Sequence, residues 1–328
     1  MKKVSVAIIT YNHEKYIEKA IRSVLAQKTS FSIEIIVSDD CSGDRTQAVI
    51  QKLQKQNSDC IVPVLRKKNV GMKINSIETL KACKGEYVAF LEGDDYWTDS
   101  GKLQKQVDFL DQHRDYSAIY HACKVIDHHE TEIELPGTFS ASPEYSVKDM
   151  ENYLIPGQTS TVIARNFWKE DLSLLELLYK VHYAPLDRIV PLFLLSEGKI
   201  GCMQEQMSVY RYLIEEKGSW SYKFQRGNYL WRAYAFAIHR EIEKIGKKLN
   251  VLISYRNLEA KLYSDYMAKG FVWKRPGYFF LALFMILFGT HRMYMIIHGN
   301  RILYLRLKKK IQNRYDGVRD DKNKKSGS

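Results

Sequence analysis

The stretch YVAFLEGDDYWTD, residues 87–99, passes without a break from an apolar run into four carboxylates, Glu92, Asp94, Asp95 and Asp99. Residues 87–91 have the continuous hydrophobicity of a strand buried on both faces. Like charges this close repel, and ionised carboxylates resist losing water. The segment is therefore either a solvated acidic loop or a place where a cation belongs. Two carboxylates with one residue between them, on a loop leaving a strand, can both face one divalent ion. Mg²⁺ and Mn²⁺ favour such hard oxygen ligands, and Mg²⁺ commonly shares them with substrate phosphates.

Outward from this strand the first 125 residues alternate apolar runs with amphipathic ones. VSVAII (4–9), IEIIVS (33–38), CIVPVL (60–65) and SAIYHACKVI (117–126) read as further strands. Helical spacing follows the first, second, third and fourth strands, over 13–27, 45–56, 75–83 and 102–113. Such alternation predicts an α/β fold, a mostly parallel sheet flanked by helices. Ligands of such sheets bind beyond the carboxyl ends of the strands. The unusual loops fall there: Thr10-Tyr11-Asn12, DDCSGD (39–44) and EGDD (92–95). DDCSGD alone is open to two readings, a turn with a helix cap or a base- and ribose-binding loop. Further on, TSTVIARN (159–166) reads as a return strand, LDRIVPLFLLSEG (186–198) as a helix with Pro191 inside it, and MSVYRY (207–212) as a last strand.

The chain of 328 residues is 45% hydrophobic and 27% charged, a globular composition. Its five cysteines have no CxxC spacing, which predicts free thiols in a reducing compartment. The N-terminal apolar run is shorter than the roughly 7–15 residues of a signal-peptide core, so a cytoplasmic location is expected. The net charge of +12 is uneven: residues 201–328 hold 25 Lys/Arg against 10 Asp/Glu, and residues 1–200 hold 25 against 28.

Taken in order, VSVAIITYNHEKYIEKAIRSVLAQ, EIIVSDDCSGD and GEYVAFLEGDDYWTDSGKLQKQVDFL resemble the nucleotide-sugar-binding half of family 2 glycosyltransferases with the GT-A fold. The likeness is close over residues 4–125 and looser to about 215. It implies a donor-binding part over 1–125 and an acceptor-binding part over 126–221. A basic helical extension over 222–312 and a disordered tail over 313–328 would follow. By this resemblance Thr10, Tyr11, Asn12, Glu14, Asp39 and Asp40 hold the nucleobase and ribose. Glu92-Gly93-Asp94 corresponds to the family's DxD motif. Asp94 is then the metal ligand, Glu92 touches metal or ribose, and Asp95 supports the site. The family usually has Asp where Glu92 stands. Lys73 and Asn75 would lie near the donor phosphates, and Arg211 would contact the diphosphate. Asp187, opening a helix, would be the base of an inverting transfer. Trp97 and Trp220 would line the donor or acceptor pocket, with core packing the other reading of each. The implied cofactor is Mn²⁺ or Mg²⁺. The implied partners are a nucleotide sugar, with UDP-sugar favoured, and a glycan or lipid-linked acceptor of surface polysaccharide synthesis.

Residues 274–310 join an 11-residue apolar run to flanking lysines and arginines. That is short of the roughly 20 residues of a spanning helix. It fits a helix lying peripherally on the inner face of a membrane, or a core helix of the C-terminal part. Two other functions share parts of this pattern. A metal-dependent nucleotidyltransferase would use the same paired carboxylates. A nucleic-acid-binding protein would use the basic third, although the apolar density there speaks against nucleic acid as a partner.

Overall fold

The computed structural model describes residues 2–135, 138–215, 229–271, 276–289 and 291–308. Trp220, the 221/222 boundary and the tail over 313–328 lie outside them. The chain forms two compact units: residues 1–226 with 244–253, and residues 227–243 with 254–328.

The first unit is built on β1 (Val4–Thr10), β2 (Ile33–Asp39), β3 (Ile61–Leu65) and β4 (Tyr87–Glu92), which lie parallel in the order β3-β2-β1-β4. Between them run α1 (Ile17–Leu25), α2 (Thr46–Gln56) and α3 (Met72–Ala82). The sheet continues beyond β4 through β8 (Ile163–Arg165), β6 (Tyr116–Ile126), β9 (Lys199–Arg211) and β5 (Tyr96–Trp97), with β7 (Glu144–Tyr145) pairing β9. The expected return strand is shorter than its sequence pattern, because Thr159–Thr161 turns as a 3₁₀ helix before β8 begins. The last strand is longer than expected and starts at Lys199.

Both faces of the parallel strands are covered, which explains their unbroken apolar runs. Val4, Val6 and Ile8 point one way onto Ile17, Ile21 and Val24 of α1, while Ser5 and Ala7 are buried on the other face. Leu103, Val107 and Leu110 of α4 (Lys102–Gln112) close the same core. Pairing of β6 with β9 shifts register at three places, between Tyr116 and Ala118 and on either side of Ala122. From His121↔Met203 to Cys123↔Ser208, β6 advances two residues and β9 five.

The second unit contains most of α9 (Tyr229–Lys248), then α10 (Arg256–Phe271), α11 (Pro276–Phe288) and a helical run over 292–308 that opens into a π turn at Met295–Gly299. Tyr263, Tyr266, Tyr278, Leu281 and Met285 form its core, together with buried Phe236 and Met295. Glu259 is wholly buried, 3.3 Å from His239. Among the described residues no helix is long and apolar enough to cross a membrane.

Gly85 shows how tightly β1 and β4 are joined. A Cβ there would sit 2.6 Å from the Ser5 amide nitrogen and 2.9 Å from the Tyr87 carbonyl oxygen, both main-chain atoms that cannot move aside. Gly85→Ala is expected to lower the unfolding free energy by about 1–3 kcal/mol in urea titration. Unchanged stability would mean that this edge of the sheet is looser than described.

Candidate active site

Parallel pairing sets Thr10 opposite Asp39, and Ile9 opposite both Ser38 and Glu92. The ends of β2, β1 and β4 therefore open at one edge, and their loops meet there. The first two are stitched together. Asn12, in the left-handed region at φ 57°, accepts from the Gly43 amide at 2.8 Å, and its own amide donates to Ser42 Oγ. Glu14 accepts from the Arg45 amide, and the Glu14 amide donates to Asp44. Tyr11 remains 48% exposed at this edge.

The two aspartates ending β2 are buried and engaged. Asp39 accepts from the Ser42 amide and hydroxyl and from Gln47 Nε2. Asp40 takes the amides of Val70 and Gly71 at 2.8 and 2.9 Å, one on each oxygen, and so ties the loop before α3 to the strand end. Beside them Thr10 Oγ1 and Arg66 Nη2 are buried without a hydrogen-bond partner. The Arg66 amide donates to the Asp39 carbonyl, which fixes both groups at the same strand end.

At the end of β4, one oxygen from each of Glu92, Asp94 and Asp95 lies within 4.8 Å of the others. Their surroundings differ. Asp95 is buried, and its two oxygens accept from the Arg211 amide at 2.9 Å and from Ser160 Oγ at 2.7 Å. Glu92 is half-buried, with Gln158 Nε2 at 3.4 Å. Asp94 has the His13 imidazole 3.9 Å from its carboxylate. Burial first, then the charges of Asp94 and Asp187, push the Glu92 carboxyl up to about 8. Burial, with the charges of Asp94 and Glu92, holds Asp95 well above the usual carboxylate range. A hard divalent cation fits this set of oxygens, because its charge would offset the repulsion among them. Gly93 has to be glycine: a Cβ would lie 2.6 Å from Thr10 Oγ1 and 2.9 Å from His13 Nδ1.

Asp187 stands in the first turn of α8 (Leu186–Glu197). Its Oδ1 is buried without a hydrogen-bond partner, and burial raises its carboxyl above the usual range. Pro191 follows at helical spacing and has no N–H to give to the Asp187 carbonyl. A cavity of about 240 Å³ opens beside the slipped β6–β9 pairing, lined in part by His121, Cys123, Phe139, Gln158, Cys202 and Gln204. Gln158 thus touches both this cavity and Glu92.

Four expected site residues make protein contacts of their own. The Lys73 ammonium donates to the carbonyls of Tyr179 and Val181, at 3.2 and 2.5 Å. Asn75 is buried beneath the β2 end, bound to Ser38 and to Arg66 Nε. Trp97 packs in the core and donates to the Ser160 carbonyl, which is the core reading of this residue. Arg211 lies between the rings of Tyr16 and Tyr96, at 5.0 and 5.3 Å, and reaches Glu130 through Nη1. His13, Arg66, Gln158 and Ser160 carry no motif signal of their own. Each belongs to the site through contacts far apart in the chain, and only His13 adjoins a motif residue.

A parallel sheet with polar loops meeting at one edge, and an acidic cluster at the end of the strand beside them, is the arrangement of a GT-A glycosyltransferase. Residues 5–167 match the glycosyl transferase family 2 model. An uncharacterized protein of Mycobacterium tuberculosis is 30% identical over 260 residues, 78% of this chain and 71% of that one. An Escherichia coli protein named UDP-Glc:alpha-D-GlcNAc-diphosphoundecaprenol beta-1,3-glucosyltransferase is 33% identical over 156 residues, 47% of this chain and 57% of that one. The structure of Staphylococcus aureus TarS 1–349 in complex with UDP-GlcNAc shares the fold, with a TM-score of 0.55 at 20% identity over 82% of this chain and 73% of that one. The chain belongs to glycosyl transferase family 2 and is a glycosyltransferase.

Folding without metal should take up a proton at Glu92, which ionises near 4.5 when free and near 8 in the fold. Between those values the unfolded chain binds fewer protons, so stability falls as pH rises. In EDTA the melting temperature should therefore drop from pH 5 toward pH 8, and less steeply in Glu92→Gln. A rise across that window in the native protein would contradict the cluster's electrostatics.

Proposed function

We propose that the protein is an inverting, metal-dependent transferase that moves a sugar from a UDP-sugar to a hydroxyl of a lipid-linked glycan in cell-envelope polysaccharide synthesis. The observation that carries this reading is the carboxylate cluster at the β4 end, together with Asp187, whose Oδ1 is buried and whose charge helps to raise Glu92. The donor choice draws on TarS, solved with UDP-GlcNAc, and on the E. coli relative, whose name specifies UDP-Glc and a diphosphoundecaprenol acceptor.

Thr10, Tyr11, Asp39 and Arg66 receive the nucleoside. The buried Thr10 hydroxyl and Arg66 Nη2 are groups that a bound uridine can satisfy. Asp94, with Glu92, would hold Mn²⁺ or Mg²⁺, and Asp95 stays bound to Ser160 and the Arg211 amide. The ion, when bound, neutralises charge on the departing diphosphate. Asp187 takes the proton of the acceptor hydroxyl as that oxygen attacks the anomeric carbon. The bond from that carbon to the diphosphate oxygen breaks on the opposite side, and UDP leaves. Burial that raises the Asp187 carboxyl makes its ionised form a stronger base near neutral pH.

Asp187→Asn should slow transfer by at least ~10²-fold. The variant should keep the rise in melting temperature that a UDP-sugar with Mn²⁺ gives the native protein. Near-normal turnover by this variant would remove Asp187 as the base. If no nucleotide sugar raised the melting temperature of the native protein with Mn²⁺, the donor assignment would fail.

A further inference from the structure

Helix α11, PGYFFLALFMILF, contains no charged side chain in 13 residues. At about 1.5 Å per residue it is about 20 Å long, against about 30 Å for a bilayer's hydrocarbon core. Tyr278, Leu281, Ala282 and Met285 recur at i, i+3, i+4 and i+7 and face the core of the second unit. Phe280, Leu283, Phe284 and Leu287 repeat that spacing two residues later, which turns them to the opposite side of the helix. They are 65%, 41%, 37% and 54% exposed. The following helical run adds Met293, Ile297 and Tyr304, each more than half exposed.

The sequence that carries this apolar surface is strongly basic. Residues 254–310 contain 11 Lys/Arg and 2 Asp/Glu. Of the two acids, Glu259 is buried beside His239 and Asp265 is paired with Arg306. Lys274 and Arg275 precede the helix in sequence and Arg292 follows it, while His291 pairs with Glu243 at 2.9 Å. Arg292 and Arg301 are exposed. A watery surface disfavours so much exposed apolar area. Apolar side chains flanked by basic ones satisfy both halves of a membrane interface, acyl chain below and anionic headgroup above. A helix too short to span, with one face held by its own unit, can bury the other in that interface lying flat.

We infer that the outer face of α11 docks on an anionic bilayer, with Phe280, Leu283, Phe284 and Leu287 entering the interface and Arg292 and Arg301 among the charges that hold it there. The inference does not depend on the transfer chemistry, so inactivity of Asp187→Asn leaves it untouched. The full-length protein should sediment with phosphatidylcholine vesicles containing about one-third phosphatidylglycerol. It should sediment at least ~5-fold less with phosphatidylcholine alone or in high salt. Leu283→Glu with Leu287→Glu should reduce sedimentation at least ~5-fold while the UDP-sugar thermal shift is retained. Should that variant not fold, Arg292→Glu with Arg301→Glu provides the same reading through charge. Equal sedimentation of native and variant proteins, or none by the native protein, would overturn the proposal. A dimer in light scattering that the leucine substitutions split would overturn it too, and would assign this face to a second copy of the chain.

Discussion

Parallel hydrogen bonding of β1 to both β2 and β4 is the constraint from which the site follows. One register sets Thr10 against Asp39, and the other sets Ile9 against Glu92. Three chain segments separated by tens of residues are forced to leave the sheet together. A slip of one residue in either pairing would turn the alternating side chains of that strand to the wrong face. The buried valines and isoleucines on the two faces of these strands resist such a slip. The apolar core and the polar edge are therefore one design problem: hydrophobic packing holds the register, and the register places the carboxylates.

Those carboxylates divide the work. Asp40 gives both oxygens to the loop before α3, and Asp95 gives both to Ser160 and the Arg211 amide. Each holds a piece of chain and has little capacity left for a ligand. Asp94 and Glu92 are less engaged and lie close enough to Asp95 for their charges to oppose its ionisation. Rigid acids thus surround more available ones. Electrostatic strain collects at the position where a substrate's counter-ion would relieve it.

Much of this was legible in the sequence because it depends on local pattern. The alternation of runs located β1 to β4 and their helices, and the acidic loops followed directly from it. What escaped notice depends on partners distant in the chain. Tyr96–Trp97 is too short a strand to show any period, yet its pairing with β9 turns Trp97 into the core. Family resemblance alone puts Asn75 near the donor phosphates, and α3, which begins at Met72, carries it beneath β2. Ser160 and Gln158 have no motif of their own. They matter because a 3₁₀ turn brings them against the β4 end.

The slipped pairing between β6 and β9 has a consequence for how the fold can diversify. Gln204 and Glu205 occupy extra length in β9, and Gln204 borders the cavity also lined by Gln158, whose amide reaches Glu92. Because a strand's side chains alternate with period two, removing or adding a pair of residues there would leave the inward and outward faces of both flanking ladders unchanged. The cavity would change size while β1 to β4 kept their register. A length change of two residues in β9 could thus remodel one side of the cleft and leave the other side as it is.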